Sequence, residues 1–194
     1  MKRPPEHIEI AVAGPEQLRF AESVSRAIRR EVEKGTLGMA LRSPRMLREK
    51  ILSGDAVLAL DKTKGNWAGF GYVAPWEGGA FVATSALIVR PAYRGLGVAR
   101  RLKEVALEAG RKRYPGARFF GLSTSEAVAR INLDLGFKEV AYAQITRDPG
   151  FWKGCGTCPF HTVLEARGGE SCQCKAMLWE PTAGPKESSG QECS

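Results

Sequence analysis

The 194-residue sequence predicts a mixed α/β domain of the α+β kind, a mostly antiparallel sheet flanked by helices. Three observations predict it. Three strand-like runs, Ala56 to Leu60, Trp67 to Val73 and Phe81 to Val89, follow one another across the turn residues Lys64-Gly65-Asn66 and Glu77-Gly78-Gly79, which is the pattern of an antiparallel meander. Beyond the third run, Val98, Leu102, Val105, Ala106 and Ala109 recur at helical spacing and give a helix to about Arg113 one apolar face. That helix leads to Arg118 to Leu122 (RFFGL), and a strand, helix, strand succession crosses over right-handedly to a parallel partner. The sheet is therefore mixed.

The remaining elements follow in chain order. His7 to Val12 (HIEIAV) alternates as a first strand, closed by Gly14 and Pro15. From Pro15 to Gly35 the pattern is helical, with Leu18, Ala21, Val24, Ile28 and Val32 on one face and Arg19, Arg26, Arg29 and Arg30 on the solvated one. Ser43 and Pro44 are a cap and first-position pair for a short helix to Leu52, ended by Ser53 and Gly54. Ser123 and Glu126 have capping-box spacing, Ala127 to Leu135 make a short helix, and Gly136 ends it before a strand from about Phe137 to Ile145.

At 43% hydrophobic content the chain can build a substantial core. Its N-terminus has no apolar run of signal-peptide length, and no stretch is long enough to cross a bilayer, so a cytoplasmic location is expected. The formal charge of +8 favours anionic partners, but the basic residues are dispersed rather than interleaved with aromatics, which argues against nucleic acid.

The clearest stretch is Leu87 to Leu102, LIVRPAYRGLGVARRL. Leu87, Ile88 and Val89 end a buried strand, and Pro91 stops the ladder because it has no amide to donate. Gly95 and Gly97 let successive amides point into one concavity at the N-terminus of the helix that follows. Unpaired amides, the positive end of the helix dipole and the charges of Arg94, Arg100 and Arg101 together suit a phosphate or pyrophosphate. No GK(S/T) follows the glycines, and the third glycine of GxGxxG is missing, so neither common nucleotide loop applies.

The arrangement Leu87, Val89, Pro91, Arg94, Gly97 and Ala99 resembles the acetyl-CoA signature, LxVxP then (Q/R)xxGx(G/A), of the GNAT superfamily of N-acetyltransferases. The resemblance runs from about Glu9 to Ile145. It implies the acyl-CoA N-acyltransferase fold, with a central parallel pair of strands splayed apart. It further implies that Leu87, Ile88 and Val89 offer backbone groups to the pantetheine arm, and that an amide near Leu87 donates to the thioester carbonyl. Arg94, Gly95, Gly97, Val98, Ala99 and Arg100 would form the phosphate cradle, and the helical region from Ser43 would border the acceptor.

The second family motif, NxxAxx(L/F)YxxxGF, is only partly met. Aligned on Gly136 and Phe137, Ser125 stands in place of the pantetheine-contacting Asn and Asn132 in place of the Tyr that protonates the thiolate. Either water supplies that proton or Tyr142 reaches in from the next strand. No carboxylate lies within Phe81 to Val89, and Glu77 in the preceding turn is the nearest candidate base. The expected reaction is acetyl transfer from acetyl-CoA to a primary amine, an amino acid or other small molecule, by direct attack. Loss of both Asn and Tyr, with the SerThrSer run at Ser123 to Ser125, is loosely similar to the branch that includes N-acetylglutamate synthases.

After Thr146 the family pattern stops. Residues 147–181 form a Cys-rich extension in which Cys155 and Cys158 make a CxxC, Cys172 and Cys174 a CxC, and Ala176 to Trp179 a final strand. Four thiolates at this spacing could close a tetrahedral zinc site, with reduced thiols or a redox pair as alternatives. Residues 182–194, with Cys193, read as a disordered tail. Two other functions fit the same sequence: a non-catalytic acyl-CoA sensor or interaction module with a zinc-binding extension, and a zinc-dependent nucleic-acid binder.

Overall fold

A computed structural model describes residues 3–35 and 37–181; the tail expected at 182–194, with Cys193, lies outside them. Among the described residues the elements are β1 (Ile8–Val12), α1 (Ala21–Glu33), α2 (Pro44–Leu52), β2 (Ala56–Asp61), β3 (Asn66–Trp76), β4 (Phe81–Val89), α3 (Val98–Arg113), β5 (Arg118–Ser123), α4 (Glu126–Asp134), β6 (Lys138–Val140), α5 (Pro149–Lys153), α6 (His161–Ala166) and β7 (Lys175–Trp179). The strands form one sheet in the order β1-β2-β3-β4-β5-β7-β6. Among the described residues β4 and β5 are its parallel pair and all other neighbours are antiparallel.

Side chains alternate across the strands, and each face acquires its own cover. Val57, Ala59, Ala68, Val73, Val82 and Phe119 pack with Val98, Leu102 and Ala106 of α3. Gly69 is where α3 comes closest, because a Cβ there would lie 2.7 Å from Leu102 Cδ1. On the opposite face Leu58, Phe70 and Tyr72 meet Val24 and Ile28 of α1 and Leu47 and Ile51 of α2. A third cluster, Phe81, Ala83, Phe120, Ile145, Ala176 and Leu178, sits under the β5-β7 half with Trp76, Phe151 and Trp152 packed on it.

Three expectations change. The helix expected from Pro15 begins as a 3₁₀ segment, Pro15–Phe20, and becomes α-helical at Ala21. The strand expected to run to Ile145 stops at Val140, and Tyr142–Gln144 form a 3₁₀ turn. The N-cap of α4 is Ser125, whose hydroxyl accepts from Val128 N at 3.4 Å, while Ser123 Oγ accepts from Ser125 N. The final strand expected in the segment after Thr146 is β7, which lies between β5 and β6, pairing Phe120 with Leu178 on one side and Lys138 with Leu178 on the other.

Candidate functional site

The site is made by two strands that part. Parallel pairing of β4 with β5 is confined to Phe81–Ala83 against Arg118–Phe120, and from Thr84 and Gly121 onward the strands separate. A Cβ at Gly121 would lie 2.9 Å from Thr84 Oγ1, so a glycine is what fits beside the Thr84 hydroxyl where the strands begin to part. On its other edge β4 bulges. Phe70 pairs with Ile88 and Tyr72 with Ser85, two steps on β3 against three on β4, and Ala86 absorbs the extra residue at φ 52°. That left-handed conformation costs a residue with a Cβ about 1–2 kcal/mol, and it turns the backbone of Ser85 to Leu87 toward the cleft.

The resulting cleft has a volume of about 950 Å³. At one end it reaches Arg94 and Ala99, and at the other Trp76, Trp152 and Cys155. Residues 37–42 cross it as a strap: Gly38 N donates to Thr124 Oγ1 at 2.8 Å and Leu41 N to Thr157 Oγ1 at 3.0 Å.

At the start of α3 Gly95 (φ 76°) and Gly97 (φ 79°) are both left-handed, and Gly97 is the N-cap of α3. The first amides of α3 have no acceptor within the helix and face outward from its start. The loop is moored by Tyr93, whose hydroxyl donates to the buried Asp61 at 2.8 Å. Asp61 also accepts from the Thr63 hydroxyl, which with Tyr93 holds its carboxyl well below the usual carboxylate range.

The arginines differ from expectation. Arg94 donates to Val89 O and to Glu31, so it straps the loop to α1 and occupies one of the carbonyls expected to face pantetheine. Arg100 is held by Asp134 and Glu104, and Arg101 by Glu104. What this end offers an anion is therefore backbone amides and the helix terminus more than these guanidinium groups.

Leu87, Ile88, Val89 and Ser125 line the cleft, although Ser125 spends its hydroxyl as a helix cap. Asn132 is 1% exposed and lines the cleft on α4, where its Oδ1 accepts from Lys103 Nζ. Glu77 is not brought to the cleft. Its Oε1 accepts from Thr146 Oγ1 at 2.7 Å and Arg147 N at 2.6 Å, and these bonds lower its pKa and make it the anchor of the 146–148 loop. Tyr142 does not point into the fork either. Stacked on Trp152, it places its hydroxyl 2.9 Å from Cys172 Sγ and donates to Cys174 O; burial and the Cys172 contact raise its pKa.

Sequence reading missed Lys103, which passes for one more charge on a basic helix.

Cys155, Cys158, Cys172 and Cys174 carry free thiols and line the wall near Arg42. Their spacing leaves zinc, reduced thiols or a redox pair open, and among the described residues no group of three or more His, Cys, Asp or Glu side chains is assembled to hold a metal ion. Hydrogen bonds occupy Cys172 instead. Bonds from Cys174 and Tyr142 lower its thiol pKa, and the same bond with burial raises that of Cys174. Burial pushes Cys155 up to about 11.

Comparison with known proteins agrees with this geometry. The model of the acetyltransferase (GNAT) family matches residues 29–134. N-acetylglutamate synthase from Neisseria gonorrhoeae, complexed with coenzyme A and N-acetyl-glutamate, is 15% identical with a TM-score of 0.62, the match covering 89% of this chain and 35% of that one. The Mycobacterium tuberculosis protein Rv2747, in complex with CoA and NLQ, is 15% identical with a TM-score of 0.62, covering 90% of this chain and 99% of that one. The Salmonella typhimurium protein yncA, with acetyl-CoA, is 15% identical with a TM-score of 0.62, covering 93% and 98%. At this identity the likeness is one of fold. This chain spans about a third of the gonococcal synthase. A search of curated proteins finds no match. Among the described residues no helix is long and apolar enough to cross a membrane.

Proposed function

Since the chain belongs to the acetyltransferase (GNAT) family, we propose that it transfers the acetyl group of acetyl-CoA to a primary amine, an amino acid being the favoured acceptor. The observation that carries this reading is the fork between β4 and β5, which opens beyond Ala83 into a cleft that reaches Arg94 and Ala99 at the start of α3. A pyrophosphate at the loop would leave the pantetheine arm to lie along the unpaired edge of β4, where free backbone groups can pair with its amides. The thioester would then lie against the bulge at Ser85 to Leu87, where a fixed amide can donate to the carbonyl oxygen as charge builds on it.

The acceptor would enter at the other end, past Tyr72, Trp76 and Trp152. Arg42 and Lys50 line that end; Lys50 is paired with Asp55, while Arg42, which donates through Nε to Tyr72 Oη and through Nη1 to Leu41 O, keeps further N–H groups that suit the carboxylate of an amino acid. Rv2747 and the gonococcal synthase, whose complexes hold NLQ and N-acetyl-glutamate, support an acceptor of this type. The cleft's carboxylate, Glu31, is paired with Lys34 and Arg94, so the amine would arrive neutral and attack directly, with positioning supplying most of the rate. Turnover should therefore rise with pH until the bound amine is deprotonated.

Thiol release from acetyl-CoA, measured across amino acids, polyamines, aminoglycosides and peptides, tests the proposal. Turnover with an amine is the expected result. Binding of acetyl-CoA without turnover on any acceptor would replace the enzyme with an acyl-CoA sensor.

A further inference from the structure

Lys103 is the buried titratable group that the acetyl-transfer scheme above leaves unused. It leaves α3 toward the fork and is 5% exposed. Its Nζ donates to Thr84 Oγ1 on β4 at 3.0 Å and to Asn132 Oδ1 on α4, with the Phe137 ring centroid 5.0 Å away. Thr84 passes its own proton on to Phe120 O at 3.2 Å, so its hydroxyl is fixed as an acceptor and aims Lys103. These contacts, from β4, α4 and the residue before β6, are two neutral acceptors and an aromatic face, with no carboxylate among them. Lys103, Thr84, Asn132 and Gly121 all line the cleft, where the two strands part.

An ammonium held here by neutral groups costs stability that a Leu or Met would not, and its third N–H remains for a group in the cleft. Resting on the acetyl-transfer reading, we propose that Lys103 is the catalytic acid that protonates the departing CoA thiolate, with Asn132 as its positioning residue. The amine nitrogen bonds to the thioester carbon, the C–S bond breaks with its electron pair going to sulfur, and Lys103 Nζ delivers a proton to that sulfur. The proton shed by the new amide nitrogen goes to solvent, and neutral Lys103 takes one back from solvent. Burial lowers the Lys103 pKa to about 7, a value suited to an acid working near neutrality, so with Lys103 as the acid the rise of turnover with pH should flatten above about pH 7, where the acid loses its proton as the amine does.

The test reads bound CoA itself, without an acceptor. The ultraviolet absorbance of the CoA thiolate is followed against pH in the complex, with the desulfo-CoA complex as blank to cancel the protein's own thiols. In the wild-type CoA complex the thiolate and the Lys103 ammonium should hold each other ionised, so that the bound thiol ionises about one pH unit or more below free CoA while Lys103 keeps the proton it loses near pH 7 in the free protein. Lys103→Met should abolish that shift while binding CoA within about threefold by calorimetry, and should slow single-turnover acetyl transfer by about 10²–10⁴. If wild-type CoA ionises as it does in free solution, the inference fails whether or not the variant folds. If the shift survives in a folded Lys103→Met, another group supplies it and the inference fails as well. Failure of the acetyl-transfer reading looks different: bound CoA with a shifted thiol and no turnover on any amine.

Discussion

Replacing Lys103 by Met should make the protein more stable at neutral pH and less stable in alkali. Burial holds the folded-state pKa near 7 against an ordinary 10.5, which corresponds to about 5 kcal/mol at about 1.4 kcal/mol per tenfold change. The sign follows from proton counting. Between about pH 7 and 10 the unfolded chain binds this proton and the folded chain does not, so wild-type stability rises with pH across that window. Below about pH 7 both states are protonated, and the full cost of burying the ammonium is present. Methionine removes that cost but leaves Asn132 Oδ1 buried without its donor, a loss of about 1–3 kcal/mol. The variant should therefore gain about 2–4 kcal/mol at pH 6, lose about 1.4 kcal/mol of that advantage per pH unit above about 7, and end below the wild type near pH 10. Urea denaturation of both proteins from pH 6 to 10 measures the difference. A difference that stays constant across this range would show that Lys103 does not titrate as a buried amine.

The other predictions concern separate parts of the site. Gly97→Val puts a β-branched residue at φ 79° where the loop amides must face the phosphate, and should weaken CoA binding by calorimetry at least about tenfold, combining strain of about 1–2 kcal/mol with steric loss. Glu77→Gln should leave the turnover number within about twofold, far short of the loss expected of a general base, while lowering the melting temperature by loosening Thr146 and Arg147. Cys172 should be the first of the four wall thiols to be alkylated at pH 7, read by peptide mass spectrometry, because its lowered pKa leaves it largely thiolate; Tyr142→Phe should slow that reaction.

The meander, α3 and the phosphate loop were legible because each is written locally. Turn residues punctuate 56–89, a helical period runs through Val98 to Ala109, and Gly95 and Gly97 adopt the left-handed conformations that only glycine takes cheaply. The resemblance carried the fork, which periodicity could not reveal. What stayed hidden depends on residues far apart in sequence. Lys175–Trp179 is too short to announce that it slots between β5 and β6. Arg94 and Arg100 read as free cations until α1 and α4 bring Glu31 and Asp134 to them. Lys103 and Asn132 meet across 29 positions, and neither signals the other in a helical pattern.

Acetyl transfer to an amine is tested most directly by where the acetyl carbon goes. Acetyl-CoA labelled with ¹³C at the carbonyl, mixed with the protein and the amine giving the fastest thiol release, can be followed by NMR. With direct transfer the thioester carbonyl signal is replaced by one N-acetyl amide signal on the acceptor, with no acyl-enzyme signal between them. A thioester signal that persists, or converts to free acetate or to an acetyl group on a wall cysteine, would contradict it.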